Sequence, residues 1–177
     1  MSWLTQDRSQ LAAERILDAA GELFVAQGTT QVTMGDVARA AGCSRATVYR
    51  YFADRRELHV AFIHREARRV GADVARDVAS VEKPEAKVAA AVASAVRHVR
   101  DAPHLAAWFQ AGDAGVTSEL VASSEVLGGL GLGVVDDPEA ARWLVRVVVS
   151  LLSMPGRDED EERELVARFV SPVVVAS

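Results

Sequence analysis

The segment from Cys43 to Phe52, CSRATVYRYF, concentrates hydroxyl groups, phenol rings and positive charge and contains no acidic side chain. In a helix, Val48 and Phe52 share one face with Tyr51 beside them, and this face should pack inward. The outward face then offers a small residue, a hydroxyl, a phenol and a guanidinium: Ala46, Thr47, Tyr49 and Arg50. Arginine can donate two hydrogen bonds to guanine, small side chains contact the thymine methyl, and hydroxyls bind phosphates. This combination indicates a surface that binds DNA.

Two short helices must hold this surface in place. Thr33, followed by Asp36 three residues later, matches a capping box and predicts the start of the first helix. Gly42 ends that helix in the way a glycine after a helix does, and Ser44 is a suitable N-cap for the second. Two short helices joined by such a turn form a helix-turn-helix.

The rest of the chain also predicts helices, because the apolar residues recur with a helical period and no convincing strand pattern is present. We predict an all-α fold of about nine helices. Longer helices are expected over residues 11–27, 55–80, 84–100 and 138–155, and from the acidic run 158–162 onward. Short helices are expected around Trp108 and over 117–127. The glycine-rich stretch 128–133 predicts a loop, since no strand precedes it.

Composition limits the class of protein. The chain has 177 residues, a formal net charge of -5 and 50% hydrophobic residues, which allows one domain or a small module joined to a larger one. Its single cysteine, Cys43, excludes an intrachain disulfide and suits a reducing compartment. The N-terminus has no signal-peptide pattern, and the apolar stretch Trp143–Met154 is shorter than the about 20 residues that span a bilayer. We therefore expect a cytoplasmic protein with no membrane partner.

The sequence shows no pattern typical of a metal, cofactor or catalytic site. His59 and His64 are five residues apart and do not share a helical face well, and His98 and His104 lie on either side of a proline. An HExxH motif, a cysteine cluster, paired carboxylates and a Ser-His-Asp grouping are all lacking. We therefore expect neither a cofactor nor an enzymatic activity.

Charge is distributed unevenly along the chain. Residues 1–70 carry ten arginines against eight acidic residues, whereas residues 71–177 carry ten basic against 17 acidic residues. The N-terminal part is therefore the more suitable one for a polyanion, although its excess is small. Residues 1–55 alone are neutral, with six arginines and six acidic residues. This neutrality keeps an alternative open, a ligand-binding or interaction protein of the same fold without specific DNA binding.

These motifs together resemble the TetR family of bacterial transcriptional regulators. The resemblance covers about residues 10–70 and includes ILDAAGELFVAQG, TMGDVARAAGCSRATVYRYF and DRREL. It implies a homodimer in which residues 1–55 form a three-helix domain that binds a double-stranded DNA operator. Residues 56–177 would form a helical domain that binds a small apolar effector and dimerises. It also implies a repressor that the effector releases from its operator.

The resemblance also implies roles for individual residues. Thr33 and Ser44 should contact phosphate, and Tyr51 and Arg55 should contact the DNA backbone. The residues expected at the groove are Arg45, Ala46, Thr47, Tyr49 and Arg50. Arg55 stands where lysine is commoner, which should preserve a phosphate contact. Arg50 occupies a variable position, so the sequence does not define which bases are read.

The C-terminal half contains candidates for an effector pocket, because such pockets are mostly apolar with a few polar groups. The aromatic candidates, which could equally fill a core, are Trp108, Phe109 and Trp143. The polar candidates are His98, His104 and Gln110.

The helix predicted over 138–155 is apolar on two sides. One stripe consists of Trp143, Val147, Leu151 and Met154, and the other of Leu144, Val148 and Leu152. The final predicted helix shows the same excess, at Leu165, Val166, Phe169, Val170, Val173 and Val174. A helix that is apolar on two sides must bury both, so we predict that these two helices pair with their symmetry mates in a four-helix interface. The sequence leaves open which stripe faces the partner.

Overall fold

A computed structural model of the protein describes residues 3–109 and 134–175, with side chains from Ser9 onward. Every regular element in these ranges is helical. In chain order they are α1 (Trp3–Gln27), α2 (Met34–Ala40), α3 (Arg45–Tyr51), α4 (Arg55–Asp77), α5 (Pro84–Asp101), α6 (Pro103–Ala106), a 3₁₀ turn (Ala107–Phe109), α7 (Pro138–Ser153), α8 (Glu159–Phe169) and α9 (Ser171–Val175). The predicted all-α fold is confirmed. The helix predicted over 117–127 and the loop predicted over 128–133 lie outside the described residues.

The chain divides into two compact units, Met1–Ile63 and His64–Ser177. The first unit extends past residue 55 because the opening turns of α4 pack against α1. There Phe24 makes edge-on contacts with His59 and Phe62, with ring centroids 5.3 and 5.1 Å away. The functional division between residues 1–55 and 56–177 stays a prediction.

Hydrogen bonds at the helix starts fix the boundaries in the first unit, as the sequence predicts. The Thr33 hydroxyl accepts from the Asp36 amide at 3.2 Å, and the Asp36 carboxylate accepts from the Thr33 amide at 3.2 Å. The Ser44 hydroxyl accepts from the Thr47 amide at 3.1 Å. Gly42, which follows α2, has a φ of 67°. This left-handed conformation favours glycine, because other residues would be strained there.

The core of the second unit lies where α5, α7, α8 and α9 meet. Its buried members are Val88, Val92, Ala140, Leu144, Val166 and Val174. Val147, Val148 and Leu151 are partly buried and pack against this cluster. Among the described residues, no helix has the length and apolar composition needed to cross a membrane.

The final predicted helix is two helices in the structure, α8 and α9. Pro172 has no N–H to continue the helical hydrogen-bond series. The helix is interrupted at Val170, which forms a turn. The prediction of one continuous helix is therefore wrong. As a result Leu165 and Phe169 lie on α8, whereas Val173 lies on α9.

An ion pair between Arg100 and Glu162 joins α5 to the start of α8. Arg100 donates to both carboxylate oxygens of Glu162, at 2.9 and 2.8 Å, and the Gly156 amide donates to Oε1 at 2.8 Å. Glu162 is buried. The hydrogen bonds from Arg100 hold the pKa of Glu162 below its ordinary 4.5, although burial acts in the opposite direction. The charged form of Glu162 is therefore the one that the fold stabilises.

We expect Glu162→Gln to lower the free energy of unfolding near neutral pH by about 1–3 kcal/mol, because it removes a charge-assisted bond. A lowered carboxyl pKa contributes stability above the ordinary pKa and loses it as pH falls toward the folded pKa. The difference between wild type and variant should therefore shrink on acidification below about pH 4. Thermal unfolding, monitored by circular dichroism, measures this stability difference. Glu164→Gln, at an exposed position of α8, is the control. An undiminished difference in acid would contradict this assignment.

Candidate DNA-binding site

Helix α3 buries one face and exposes the other. Val48 is fully buried and Phe52 nearly so, whereas Tyr49 is 46% exposed. Ala46 and Arg50 are exposed as well. These positions confirm the inward positions of Val48 and Phe52 and the outward positions of Ala46, Tyr49 and Arg50 that the helical pattern predicts. The outward face of α3 is therefore available for a partner.

Three hydroxyls expected at DNA are already engaged in the caps of α2 and α3. Thr33 donates its hydroxyl proton to Oδ2 of Asp36 at 2.5 Å. This bond, with the backbone bond from the same residue, holds the pKa of Asp36 below its ordinary value. The Ser44 and Thr47 hydroxyl oxygens lie 2.9 Å apart, and Thr47 is half-buried rather than fully outward. Contacts of these hydroxyls with phosphate stay predictions.

Two of the arginines predicted to contact DNA interact with neighbouring groups of the protein. The Arg50 guanidinium carbon lies 5.1 Å from the centroid of the Tyr51 ring, within the range of a cation–π interaction. Hydrogen bonds from Ser9 and then from Arg50 hold the pKa of the Tyr51 phenol below its ordinary value. Arg55 donates to the Thr30 carbonyl at 2.7 Å. Arg55 thus ties the start of α4 to the loop before α2.

Arg45 lies across the first turn of α2. Its Nε is 3.4 Å, and its Cζ 3.6 Å, from the point where a Cβ on Gly35 would stand. The Thr33 hydroxyl oxygen is 3.7 Å from the same point. The structure therefore brings Arg45 and Thr33, both predicted to contact DNA, to one place.

The predicted effector residues fall into separate places. His104, fully buried Trp108 and half-buried Phe109 belong to the short segment formed by α6 and the 3₁₀ turn. Trp143 is half-exposed on α7, in a groove that Val173 also lines. Gln110 lies outside the described residues.

His98 belongs to a different network. Its Nε2 lies 2.9 Å from Oδ2 of Asp77, and the same oxygen accepts from Ser94 at 2.6 Å and from Arg97 at 2.7 Å. The hydrogen bonds from Ser94 and His98 hold the pKa of Asp77 below its ordinary value. This network joins the end of α4 to α5, and a role of His98 in effector binding stays a prediction.

A buried charged cluster in the second unit was not predicted from the sequence. Arg65 and Glu66 on α4 are 7% and 3% exposed. Oε1 of Glu66 accepts from Nε of Arg65 at 2.7 Å and from Arg69 at 3.0 Å. Oε2 of Glu66 lies 3.1 Å from Nε2 of His104. Burying charge is costly unless it is paired, and here each carboxylate oxygen of Glu66 has a nitrogen partner.

The sequence did contain a signal for this cluster. Leu58 and Phe62, four residues apart, are buried on one face of α4. Arg65 and Glu66 occupy the positions three and four residues after Phe62, where the helical period expects apolar side chains. Charges at inward positions of an apolar stripe are thus the signal.

Several large apolar side chains of α7, α8, α9 and their ends are exposed. They are Trp143 (50%), Met154 (72%), Leu165 (43%), Phe169 (59%) and Val173 (63%). Leu144, from the other stripe of α7, is buried in the core. Val147 and Leu151, which were predicted for the interface, pack partly against that core. The structure thus buries Leu144 of one stripe and exposes Trp143 and Met154, the two ends of the other.

Comparison with known proteins identifies the family. Residues 16–62 match the family model described as bacterial regulatory proteins, tetR family. Over 181 residues, covering 97% of this chain and 90% of the relative, the sequence is 43% identical to an HTH-type transcriptional regulator of Mycobacterium tuberculosis (strain ATCC 25618 / H37Rv). The chain belongs to the tetR family of bacterial regulatory proteins. It is therefore a DNA-binding transcriptional regulator, and its family-matched residues lie within the first compact unit.

Solved structures share the fold of this tetR-family chain over most of its length. The TetR family repressor AlkX from Dietzia sp. strain DQ12-45-1b has a TM-score of 0.68 at 22% identity, covering 92% of this chain and 97% of that chain. RolR in complex with resorcinol has a TM-score of 0.66 at 18% identity, covering 95% of this chain and 89% of that chain. In the described residues of the tetR-family chain, no group of three or more His, Cys, Asp or Glu is arranged to hold a metal ion.

We expect Tyr49→Ala and Arg50→Ala each to weaken operator binding by about 1–3 kcal/mol, the range for a lost base or close backbone contact. Unfolding temperature should change little, because both side chains point away from the core. Fluorescence anisotropy with the DNA upstream of the protein's own gene measures this. Arg142→Ala, an exposed arginine of the second unit, is the control. Unchanged operator affinity in both variants would show that the outward face of α3 does not contact the operator.

Proposed function

We propose that this regulator is a homodimeric repressor whose two first units bind an operator through the outward face of α3, and which a small effector releases. The observation that carries the proposal is that face itself: Tyr49 and Arg50 stand exposed on a helix whose other side is anchored by Val48 and Phe52. Family membership favours DNA binding over the alternative suggested by the neutral charge of residues 1–55. A gel shift with the DNA upstream of its own gene tests this function directly.

The proposed DNA contacts combine base reading with backbone contacts. Tyr49, Arg50, Ala46 and Thr47 would meet base edges. The sequence predicts Arg45 at the groove as well, but its position beside the Thr33 hydroxyl favours a phosphate contact. Arg55 would also meet a phosphate, together with the hydroxyls of Thr33, Ser44 and Tyr51. The loss of a phosphate contact lowers the affinity for all DNA sequences and makes log K less dependent on log salt. Arg55 differs from the others because it also holds the Thr30 carbonyl. Its removal should therefore reduce the stability of the loop before α2 as well.

The dimer proposal depends on the exposed apolar side chains of the second unit, Trp143, Met154, Leu165, Phe169 and Val173. Soluble monomers rarely expose contiguous apolar patches of large size. A two-fold interface would cover each such surface with its own copy. Two copies would also supply the two reading helices that successive major grooves, roughly 34–36 Å apart, require.

We expect Phe169→Asp to yield a folded monomer, because Phe169 is exposed on α8 in the single chain. Val166→Asp is the matched control on the same helix. It places a charge at a site that is 3% exposed, so it should unfold the chain rather than merely dissociate it. Sedimentation velocity and circular dichroism separate the two results. A wild-type protein that sediments as a monomer at micromolar concentration would refute the dimer and the two-headed operator mechanism with it.

The proposed effector site lies in the second unit, at the segment that carries His104, Trp108 and Phe109 and at the buried Glu66. Aromatic rings would hold an apolar body, and Glu66 with His104 would bind a polar group on it. RolR, which shares the fold, has a solved structure with resorcinol, and AlkX is a repressor implicated in biodegradation of n-alkanes. These relatives support a small, mostly apolar effector class. Binding would favour dimer conformations that no longer fit the operator.

We expect the fluorescence of Trp108 to report the effector. With Trp3→Phe and Trp143→Phe, Trp108 is the remaining tryptophan. In a panel of small phenols and alkanes, any compound that releases DNA should also change its emission. Glu66→Gln should reduce the response to hydrogen-bonding effectors such as resorcinol while DNA binding remains. Release of DNA without any change in Trp108 emission would place the effector site elsewhere.

A further inference from the structure

The side-chain space above Gly35 is occupied by a guanidinium. Gly35 is the second residue of α2, and Arg45 is the first residue of α3. A Cβ on Gly35 would stand 3.4 Å from Nε and 3.6 Å from Cζ of Arg45. The guanidinium group therefore lies against the α2 backbone where other residues would project a side chain.

Arg45 differs from the other arginines of this surface. Arg39 pairs with Asp36 at 3.1 Å, Arg50 lies over the Tyr51 ring and Arg55 holds the Thr30 carbonyl. Among the described residues, Arg45 makes no hydrogen bond or ion pair of this kind. Arg45 is exposed as a residue, and its guanidinium lies against Gly35 with the Thr33 hydroxyl nearby.

We propose that Gly35 is a positioning residue, which leaves open the space that the Arg45 guanidinium occupies and so directs Arg45 to a DNA phosphate. The inference rests on the proposed role of Arg45 in DNA binding. A guanidinium already held near its bound position loses less rotamer freedom on binding than one that moves freely. A large side chain at residue 35 would fill the space and displace the guanidinium into solvent.

The geometry makes the effect depend on size. An alanine Cβ at 3.4 Å is in ordinary van der Waals contact with the flexible end of Arg45, so Gly35→Ala should bind DNA within about twofold of wild type. Gly35→Leu and Gly35→Gln extend further and should weaken binding about as much as Arg45→Ala. Both residues are good helix formers, so α2 should remain folded. Leucine and glutamine have similar length, which separates size from polarity.

The test is a double-mutant cycle on DNA affinity. Wild type, Gly35→Ala, Gly35→Leu, Gly35→Gln, Arg45→Ala and the combined Gly35→Leu/Arg45→Ala protein are compared by anisotropy at several salt concentrations. The probes are a labelled duplex from the DNA upstream of the protein's own gene and a random-sequence duplex. Unfolding temperature is measured for each protein, and Ala40→Leu, an added side chain at an exposed position of α2, is the control.

The expected result is that Gly35→Leu has no further effect once Arg45 is alanine. The slope of log K against log salt should fall by about 0.9 for each reading head in Gly35→Leu and in Arg45→Ala alike, since one phosphate contact is lost. An equal loss from Gly35→Leu in both backgrounds would overturn the inference, because residue 35 would then act without Arg45. Wild-type affinity in both Gly35→Leu and Gly35→Gln would overturn it as well. If Arg45→Ala binds as tightly as wild type, the proposed role of Arg45 is wrong. The DNA-binding function is then still tested separately by Tyr49→Ala and Arg50→Ala.

Discussion

The DNA-binding surface depends on keeping two seven-residue helices folded. Helices this short are unstable alone, since each forms few hydrogen bonds for the residues it fixes. Here each one begins at a side chain that satisfies a backbone donor, Thr33 for α2 and Ser44 for α3. Each also buries apolar residues, Val37 from α2 and Val48 from α3. Caps and burial together give the outward side chains of α3 a defined direction.

Two glutamates among the described residues of the second unit, Glu66 and Glu162, are buried and are held in different ways. Glu162 is bound by Arg100 from another helix and by the Gly156 amide of the preceding loop. These partners join elements, so Glu162 belongs to the framework. Glu66 is bound mainly by arginines of its own helix, and among the residues that the structure describes His104 alone reaches it from another element. A movement of α6 would therefore change the surroundings of Glu66 while leaving its ion pairs on α4 intact.

Sequence reasoning succeeded where the signal is local and failed where it is not. Thr33, Gly42 and Ser44 act on their own neighbours, so the helix-turn-helix could be predicted from them. Phe169 and Leu144 differ in exposure only because of what packs around them, so the outward stripe could not be chosen beforehand. Pro172 lacks the amide donor of a continuous helix, but the apolar residues recur across it at the helical period, and this period predicts one helix. The Glu66 cluster was not predicted, since its partner His104 lies 38 residues away in the chain.

The arrangement at Gly156 has an evolutionary consequence. A Cβ there would lie 2.8 Å from Cγ of Glu162, closer than side chains tolerate, and the amide of the same residue binds the Glu162 carboxylate. A larger residue at 156 would have to displace Glu162, and Arg100 would then keep a charge without its partner. Positions 100, 156 and 162 should therefore change together among relatives, as one inherited unit, although 62 residues separate the first from the last.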